Sequence, residues 1–257
     1  KTVAVEAAHA AGAVLMEHFG HIARSDVGSK SAARDLVTKA DVASERAIVA
    51  VLHRAVPEHA IEAEEEVRDA QRSEDELRWF VDPLDGTTNF VHQLPTFSVS
   101  LGLYRGRTPL VGVVHAPRLG ETYAARAGGG VTLDGRPVGV SGCRSLREAI
   151  LATGFPYRRE SLRCDNVDNF RRFILEVRDI RRMGSAALDL AWVAAGRVDG
   201  FWELHLAPHD VAAGALLVRE AGGMVSDADG GEDWLRGGHI VACSPALHAE
   251  MLGKIGH

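Results

Sequence analysis

The chain has 257 residues, 46% of them apolar and 25% charged, and a formal net charge of −6. That length suits one large domain or two closely packed halves with an ample core. No basic block offsets the acidic balance, which argues against nucleic acid as the main ligand, and no apolar run is long enough to cross a bilayer.

Residues 2–19 carry Ala, Val, Leu and Met at helical spacing, so an amphipathic helix ending near Gly20 is expected. A polar, mobile loop is expected over 24–35. Thr38 and Asp41 have the spacing of a capping box, although Asp is shorter than the preferred Glu or Gln. The helix they open should reach about Ala55 and stop before Pro57. Ile61-Glu62-Ala63 reads as a short strand leading into Glu64-Glu65-Glu66, and the apolar run Trp79-Phe80-Val81 as a buried one.

From Phe97 to about Val140 the pattern alternates at period two, in Ser98–Tyr104, Leu110–Ala116 and Thr122–Ala127, and predicts an antiparallel meander. Gly128-Gly129-Gly130 lacks the Lys-Ser/Thr of a nucleotide loop and reads as a tight turn. A strand is expected at 149–153, helices at 161–178, 185–195 and 209–221, and a strand at Val198–Trp202. Gly222-Gly223 closes the last helix. Strands and helices thus interleave irregularly, as in alternating α and β layers. Cys143, Cys164 and Cys243 are far apart and odd in number, which suggests neither a disulfide framework nor a zinc site and fits a reducing, cytoplasmic setting. The sequence starts at Lys1 rather than Met, so residues upstream are expected to have been removed or omitted.

The most informative segment is Asp82-Pro83-Leu84-Asp85-Gly86-Thr87-Thr88-Asn89-Phe90. Pro83 fixes its own φ and biases Asp82 towards an extended conformation. The chain must bend there, bringing both carboxylates and the Leu84 carbonyl towards one point. Gly86 permits close approach of a ligand, and Thr87-Thr88-Asn89 reads as the first turn of a short helix whose N–H groups could cradle a phosphate. Hard oxygen ligands beside an anion cradle describe a site for Mg²⁺ plus phosphate. The acidic balance points the same way, because carboxylates and a phosphate dianion repel each other unless divalent metal lies between them.

This segment, continuing as Val91-His92-Gln93-Leu94-Pro95, resembles the signature of the inositol monophosphatase family of Mg²⁺-dependent, lithium-inhibited phosphomonoesterases. Further resemblance lies in Asp35-Leu36-Val37-Thr38 with Asp41, Ala63-Glu64-Glu65, Gly184-Ser185-Ala186-Ala187 and Pro208-His209-Asp210-Val211-Ala212-Ala213-Gly214. It covers nearly the whole chain. It implies an α+β fold, an αβαβα layered sandwich of the inositol monophosphatase and fructose-1,6-bisphosphatase type. Residues 1–257 would form one domain, with an α+β half (1–140) carrying the metal motif and an α/β half (141–257).

By resemblance, Glu64, Asp82, the Leu84 carbonyl, Asp85 and Asp210 would hold two or three Mg²⁺ ions, with Asp82 bridging two. Among three consecutive Glu the register of the ligand is open, and an acidic triplet after a strand otherwise reads as a solvated turn. The Thr87 hydroxyl, linked to Asp41, would position and deprotonate the nucleophilic water, while Gly86 and Thr87 N–H groups hold phosphate. Otherwise Thr87 caps a turn and Asp41 favours a helix dipole. Ala186 and Glu203 would contact the hydroxyl-bearing side of the substrate; a solvated acid at a strand end is the other reading of Glu203. Lys30 matches a position that closes over the metal and phosphate, or is simply a solvated loop lysine. His209 stands where the family commonly has Trp, which leaves the substrate pocket open. The expected activity is hydrolysis of a small polyol or sugar monophosphate, inositol 1-phosphate first. Histidinol phosphate, fructose 1,6-bisphosphate and 3′-phosphoadenylate-type substrates are alternatives. A regulatory protein binding the transcription machinery is a reading of another class. The family also suggests a homodimer.

Overall fold

A computed structural model describes residues 1–22, 27–29, 36–71, 73 and 75–256. Helix α1 (Thr2–His18) buries Ala4, Ala7, Ala8, Ala11 and Leu15, the apolar stripe its sequence spacing announces. Strand β1 (Val27–Ser29) lies inside the expected loop and pairs antiparallel with β2 (Leu36–Thr38), which feeds α2 (Lys39–Ala55). The capping box forms with Asp in place of Glu: Thr38 Oγ1 accepts from the Ala40 N–H, and Asp41 Oδ2 accepts from the Thr38 N–H at 2.9 Å.

Strand β3 (Ala60–Ala63) runs parallel to β4 (Leu77–Asp85), and the short helix α3 (Thr87–Val91) follows. The meander continues as β5 (Ser98–Arg105), β6 (Thr108–Ala116), β7 (Glu121–Arg126), β8 (Val131–Leu133) and β9 (Arg136–Val138), giving a seven-stranded sheet in sequence order. The three glycines between β7 and β8 make the expected turn, and their N–H groups donate to the Glu220 carboxylate.

The rest of the chain supplies β10 (Ile150–Thr153), α4 (Val167–Ile174), β11 (Asp179–Arg181), α5 (Ala186–Ala194), β12 (Gly200–Leu204), α6 (Pro208–Glu220), β13 (Met224–Ser226), β14 (His239–Cys243) and α7 (His248–Leu252). Their strands form a five-stranded sheet in the order β11-β10-β12-β14-β13. Helix α4 is much shorter than the 161–178 expected. Asn166, at φ 72°, ties its start to the sheet, donating to the Gly154 carbonyl and accepting from Trp202 Nε1 at 2.7 Å. Strand β12 starts later than the sequence suggests because the Asp199 side chain is held by the Ile150 N–H and Ser141 Oγ.

Alternation along the strands sends successive side chains into different layers. Trp79 and Val81 face α1 and α2 on one side of the large sheet. Phe80, Tyr104 and Val114 face α5 and α6, whose other side packs on Phe201, Ile240 and Ala242 of the small sheet. Trp202 and Val241 meet Phe173 of α4 and Met251 of α7 beyond it. The result is the αβαβα sandwich that the resemblance implies.

Helix α6 sits against the large sheet through Gly102 and Gly112, where a Cβ would meet Ala212 Cβ at 2.7 Å and the Ala213 carbonyl at 2.6 Å. The obstacle at Gly112 is backbone, which cannot swing away. Gly112→Ala should therefore cost about 1–3 kcal/mol of stability, the range for overpacking a tight interior. A urea unfolding curve matching wild type would contradict this packing.

Candidate active site

Three elements, β3, β4 and α6, deliver acids to one place, and α2 and α5 brace them. The β4–β5 ladder slips between Asp82 and Asp85, so one extra β4 residue is accommodated at the bend beside Pro83. Ser44 Oγ of α2 donates to the Pro83 carbonyl at 2.8 Å and holds that bend from below. Asp82 Oδ1 accepts from the Leu84 N–H at 3.0 Å. Asp85 Oδ2 accepts from Ser185 Oγ at 2.6 Å and from the Ala187 N–H at 2.7 Å, in the first turn of α5. Asp210, in the first turn of α6, accepts from the Ala207 N–H at 2.6 Å. Glu64 leaves the end of β3.

Ligand atoms of Asp82, Asp85 and Asp210 all lie within 4.8 Å of one another, as do those of Glu64, Asp82 and His209. Asp82 belongs to both groups. Of the three consecutive glutamates, Glu64 is the one facing Asp82, while Glu66 pairs with Arg46 at 2.9 Å on the outside.

Burial first, then the charges of Glu64, Asp85 and Asp210, pushes the Asp82 carboxyl well above the usual carboxylate range. Burial and Asp210 push Asp85 up to about 7, against the hydrogen bonds from Ser185 and Ala187. Acids crowded this closely, with oxygen donors facing one another, suit a hard divalent cation. Asp82, Asp85, Asp210 and Glu64 would supply the charge, and the Leu84 carbonyl lies beside them, 3.2 Å from Thr87 Oγ1.

Thr87 Oγ1 donates to Asp41 Oδ1 at 2.9 Å, and both residues are buried. Asp41 is kept in place by the Thr38 N–H and hydroxyl, which donate to its other oxygen. Gly86, at φ 96°, starts α3; a Cβ there would lie 3.0 Å from the Gly184 carbonyl. Only glycine combines that backbone with that approach.

A cavity of about 320 Å³ opens beside the acids, lined by Ala186, Glu203, Arg182, Asp189, His209 and Asp210 among others. Burial drives Glu203 up to about 8 despite the Arg182 guanidinium nearby. A Cβ on Gly154 would fall inside the Glu203 carboxylate, so that glycine makes room for it. Asp189 is buried with Oδ1 lacking a hydrogen-bond partner, and burial followed by Glu203 raises its carboxyl as well. His209 Nε2 stands 3.8 Å from Asp210 Oδ1 and 4.0 Å from Glu64 Oε1, so it borders the acids as well as the cavity. Every candidate residue named from the sequence converges here except Lys30, which lies outside the described residues. The structure adds Ser44, Glu45, Arg182 and Asp189 to these residues, and gives Ser185 a partner in Asp85. Ser185 sits inside the Gly184–Ala187 motif, and Ser44 and Glu45 follow Asp41 at helical spacing; Arg182 and Asp189 carried no sequence signal.

The inositol monophosphatase family model matches residues 1–256. The chain belongs to the inositol monophosphatase family. Its relatives include the Nus factor SuhB of Pseudomonas aeruginosa, 47% identical over 262 residues, with 98% of this chain and 94% of that protein covered. An inositol-1-monophosphatase of Mesorhizobium japonicum is 43% identical, covering 98% and 94%. The solved structure of inositol monophosphatase from Anabaena superposes with a TM-score of 0.89 at 40% identity, covering 98% of this chain and 93% of that one. Inositol monophosphatases are metal-dependent phosphatases, and the acidic cluster is compatible with metal binding. No described helix is long and apolar enough to cross a membrane.

Carboxyls that ionise less readily in the fold than in the unfolded chain stabilise the fold below the usual carboxylate range. That contribution is lost as pH rises through their folded values. With Asp85 near 7 and Glu203 near 8, the chelator-treated protein should lose stability as pH rises towards about 8. Mg²⁺ should remove the part of that decline that comes from Asp85, and leave the part that comes from Glu203. Urea midpoints across pH with and without chelator measure it, and a chelated midpoint that climbs with pH would contradict the repulsion.

Proposed function

We propose that this chain is a Mg²⁺-dependent phosphatase acting on a small polyol or sugar phosphomonoester, with inositol 1-phosphate the leading substrate. The observation that carries the reading is the buried Thr87–Asp41 hydrogen bond beside the acidic cluster. Glu64, Asp82, Asp85, Asp210 and the Leu84 carbonyl would hold two or three Mg²⁺ ions. When bound, the metal acidifies water and neutralises charge on the transferring and leaving oxygens.

The protein's own groups do the rest. Asp41 Oδ1, at 2.9 Å, is the nearer of two acceptors for the Thr87 hydroxyl, with the Leu84 carbonyl at 3.2 Å, and donation to Asp41 leaves the Thr87 oxygen's lone pairs for a water. As that water attacks phosphorus, Thr87 Oγ1 takes its proton and passes its own to Asp41, with Glu64 helping to orient the water. Gly86 and Thr87 N–H groups bind phosphate. The leaving alcohol lies in the cavity of about 320 Å³, against Ala186, Glu203 and His209. A Glu203 carboxyl raised to about 8 is mostly protonated at neutral pH, so it both donates to and accepts from hydroxyls without repelling the phosphate. Lys30 would close over the phosphate. We also infer a homodimer and a cytoplasmic setting from the family.

Relatives named Nus factor SuhB support a second reading, binding to the transcription machinery, which can coexist with catalysis. A pull-down without Mg²⁺ or substrate addresses it.

A panel of inositol 1-phosphate, histidinol phosphate, fructose 1,6-bisphosphate and an adenosine 3′-phosphate tests the principal reading. Turnover should require Mg²⁺, cease on chelation, fall with Li⁺ and be fastest on inositol 1-phosphate. Thr87→Ala should slow kcat by about 100-fold or more, the scale of a lost proton-transfer group, with Mg²⁺ affinity kept. Full turnover after exhaustive chelation would overturn the mechanism, and near-wild-type kcat in Thr87→Ala would remove that residue's role.

A further inference from the structure

One face of α2 touches three parts of the site. Asp41, Ser44 and Glu45 are all fully buried, at the i, i+3, i+4 spacing that lines up side chains on a helix. Asp41 holds Thr87, and Ser44 holds the Pro83 carbonyl at the β4 bend. Glu45 holds the acidic loop: its Oε2 accepts from the Glu65 N–H at 2.7 Å, and its Oε1 from the Glu66 and Val67 N–H groups at 2.7 and 2.8 Å. The loop is closed above by the Ala63 N–H donating to the Val67 carbonyl at 2.7 Å, and by the Glu64 N–H donating to the Val81 carbonyl of β4 at 3.1 Å.

We propose that Glu45 is a positioning residue for the metal site, a carboxylate latch that fixes the Glu64–Val67 backbone so that Glu64 faces Asp82 before any cation binds. Three consecutive glutamates repel one another and, left alone, would splay the loop into solvent. A buried carboxylate beneath three converging N–H groups counters this through the backbone, and charge-assisted bonds of this kind are the strong ones. The chemistry requires an acid. A glutamine would turn an NH₂ group towards N–H donors and leave at least one of them buried without an acceptor. Arg46, the next residue of α2, pairs with Glu66 on the exposed side and is not part of the latch.

The inference rests on Glu64 being a metal ligand, and the test separates the two claims. In metal-free wild type, hydrogen exchange should find the Glu65, Glu66 and Val67 amides already protected. Fast exchange at all three, with protection only after Mg²⁺ is added, would overturn the latch without any variant. Glu45→Gln should weaken Mg²⁺ binding, measured by calorimetry, by about 10–100-fold, the usual effect of removing a group that orients a ligand. At saturating Mg²⁺ its kcat should return to near wild type, which a general loss of structure would not allow. Glu45→Asp keeps both acceptor oxygens and should recover part of the affinity, and Arg46→Ala should change neither amide protection nor Mg²⁺ affinity. Unchanged Mg²⁺ affinity in a folded Glu45→Gln would overturn the proposal. Unchanged Mg²⁺ affinity in Glu64→Gln, with the loop amides still protected, would instead overturn the reading of Glu64 as a ligand.

Discussion

Repulsion among Glu64, Asp82, Asp85 and Asp210 is the constraint around which the site is organised. Left to itself, such a cluster would splay its side chains into water or take up protons. Here three of the acids are held by backbone N–H or hydroxyl donors. Asp82 is held by the Leu84 N–H, Asp85 by Ser185 and the Ala187 N–H, and Asp210 by the Ala207 N–H. Backbone N–H groups orient carboxylates without neutralising their full charge, so the cluster is held in place yet still suited to a cation.

The layered fold explains how those donors reach one point. Helices α2, α5 and α6 all begin at the site, contributing Asp41, Ala187 and Asp210 from their first turns. The positive ends of their dipoles partly offset the acids. The bend after Phe80-Val81 brings β4 to the same place, and α6 reaches it only because Gly102 and Gly112 let the helix lie directly on the large sheet. Packing in the middle layer and electrostatics at its edge are therefore one problem. A shift of α6 along the sheet would move Asp210 relative to Asp85.

Much of this was legible in the residues. The α1 stripe, the Thr38–Asp41 cap, the meander and the Asp82–Phe90 bend each follow from a local rule, and each formed. The small sheet was less legible. Strands β11 and β13 have three residues each, so alternation has little length to act on, and β12 pairs with β10 and β14 rather than with a sequence neighbour. The expected helix over 161–178 was shortened by Asn166, whose side chain bridges the Gly154 carbonyl and Trp202, a contact between segments 36 residues apart. Within the site, residues inside recognisable motifs were found, whereas Asp189 and Arg182 were not. A lone Asp on an Ala-rich helix and an Arg after a strand carry no pattern of their own, and only the fold brings them to the cavity. Among Glu64, Glu65 and Glu66 the family resemblance favours Glu64, and the loop's backbone bonds account for its facing Asp82, which no spacing rule supplies.

We propose that these acids share divalent metal through Asp82. Anomalous diffraction from crystals grown with Mn²⁺ in place of Mg²⁺ tests it most directly. Peaks are expected on both sides of the Asp82 carboxylate, one bounded by Glu64 and the other by Asp85 and Asp210. Saturating Mn²⁺ with no anomalous density among these four residues would contradict it.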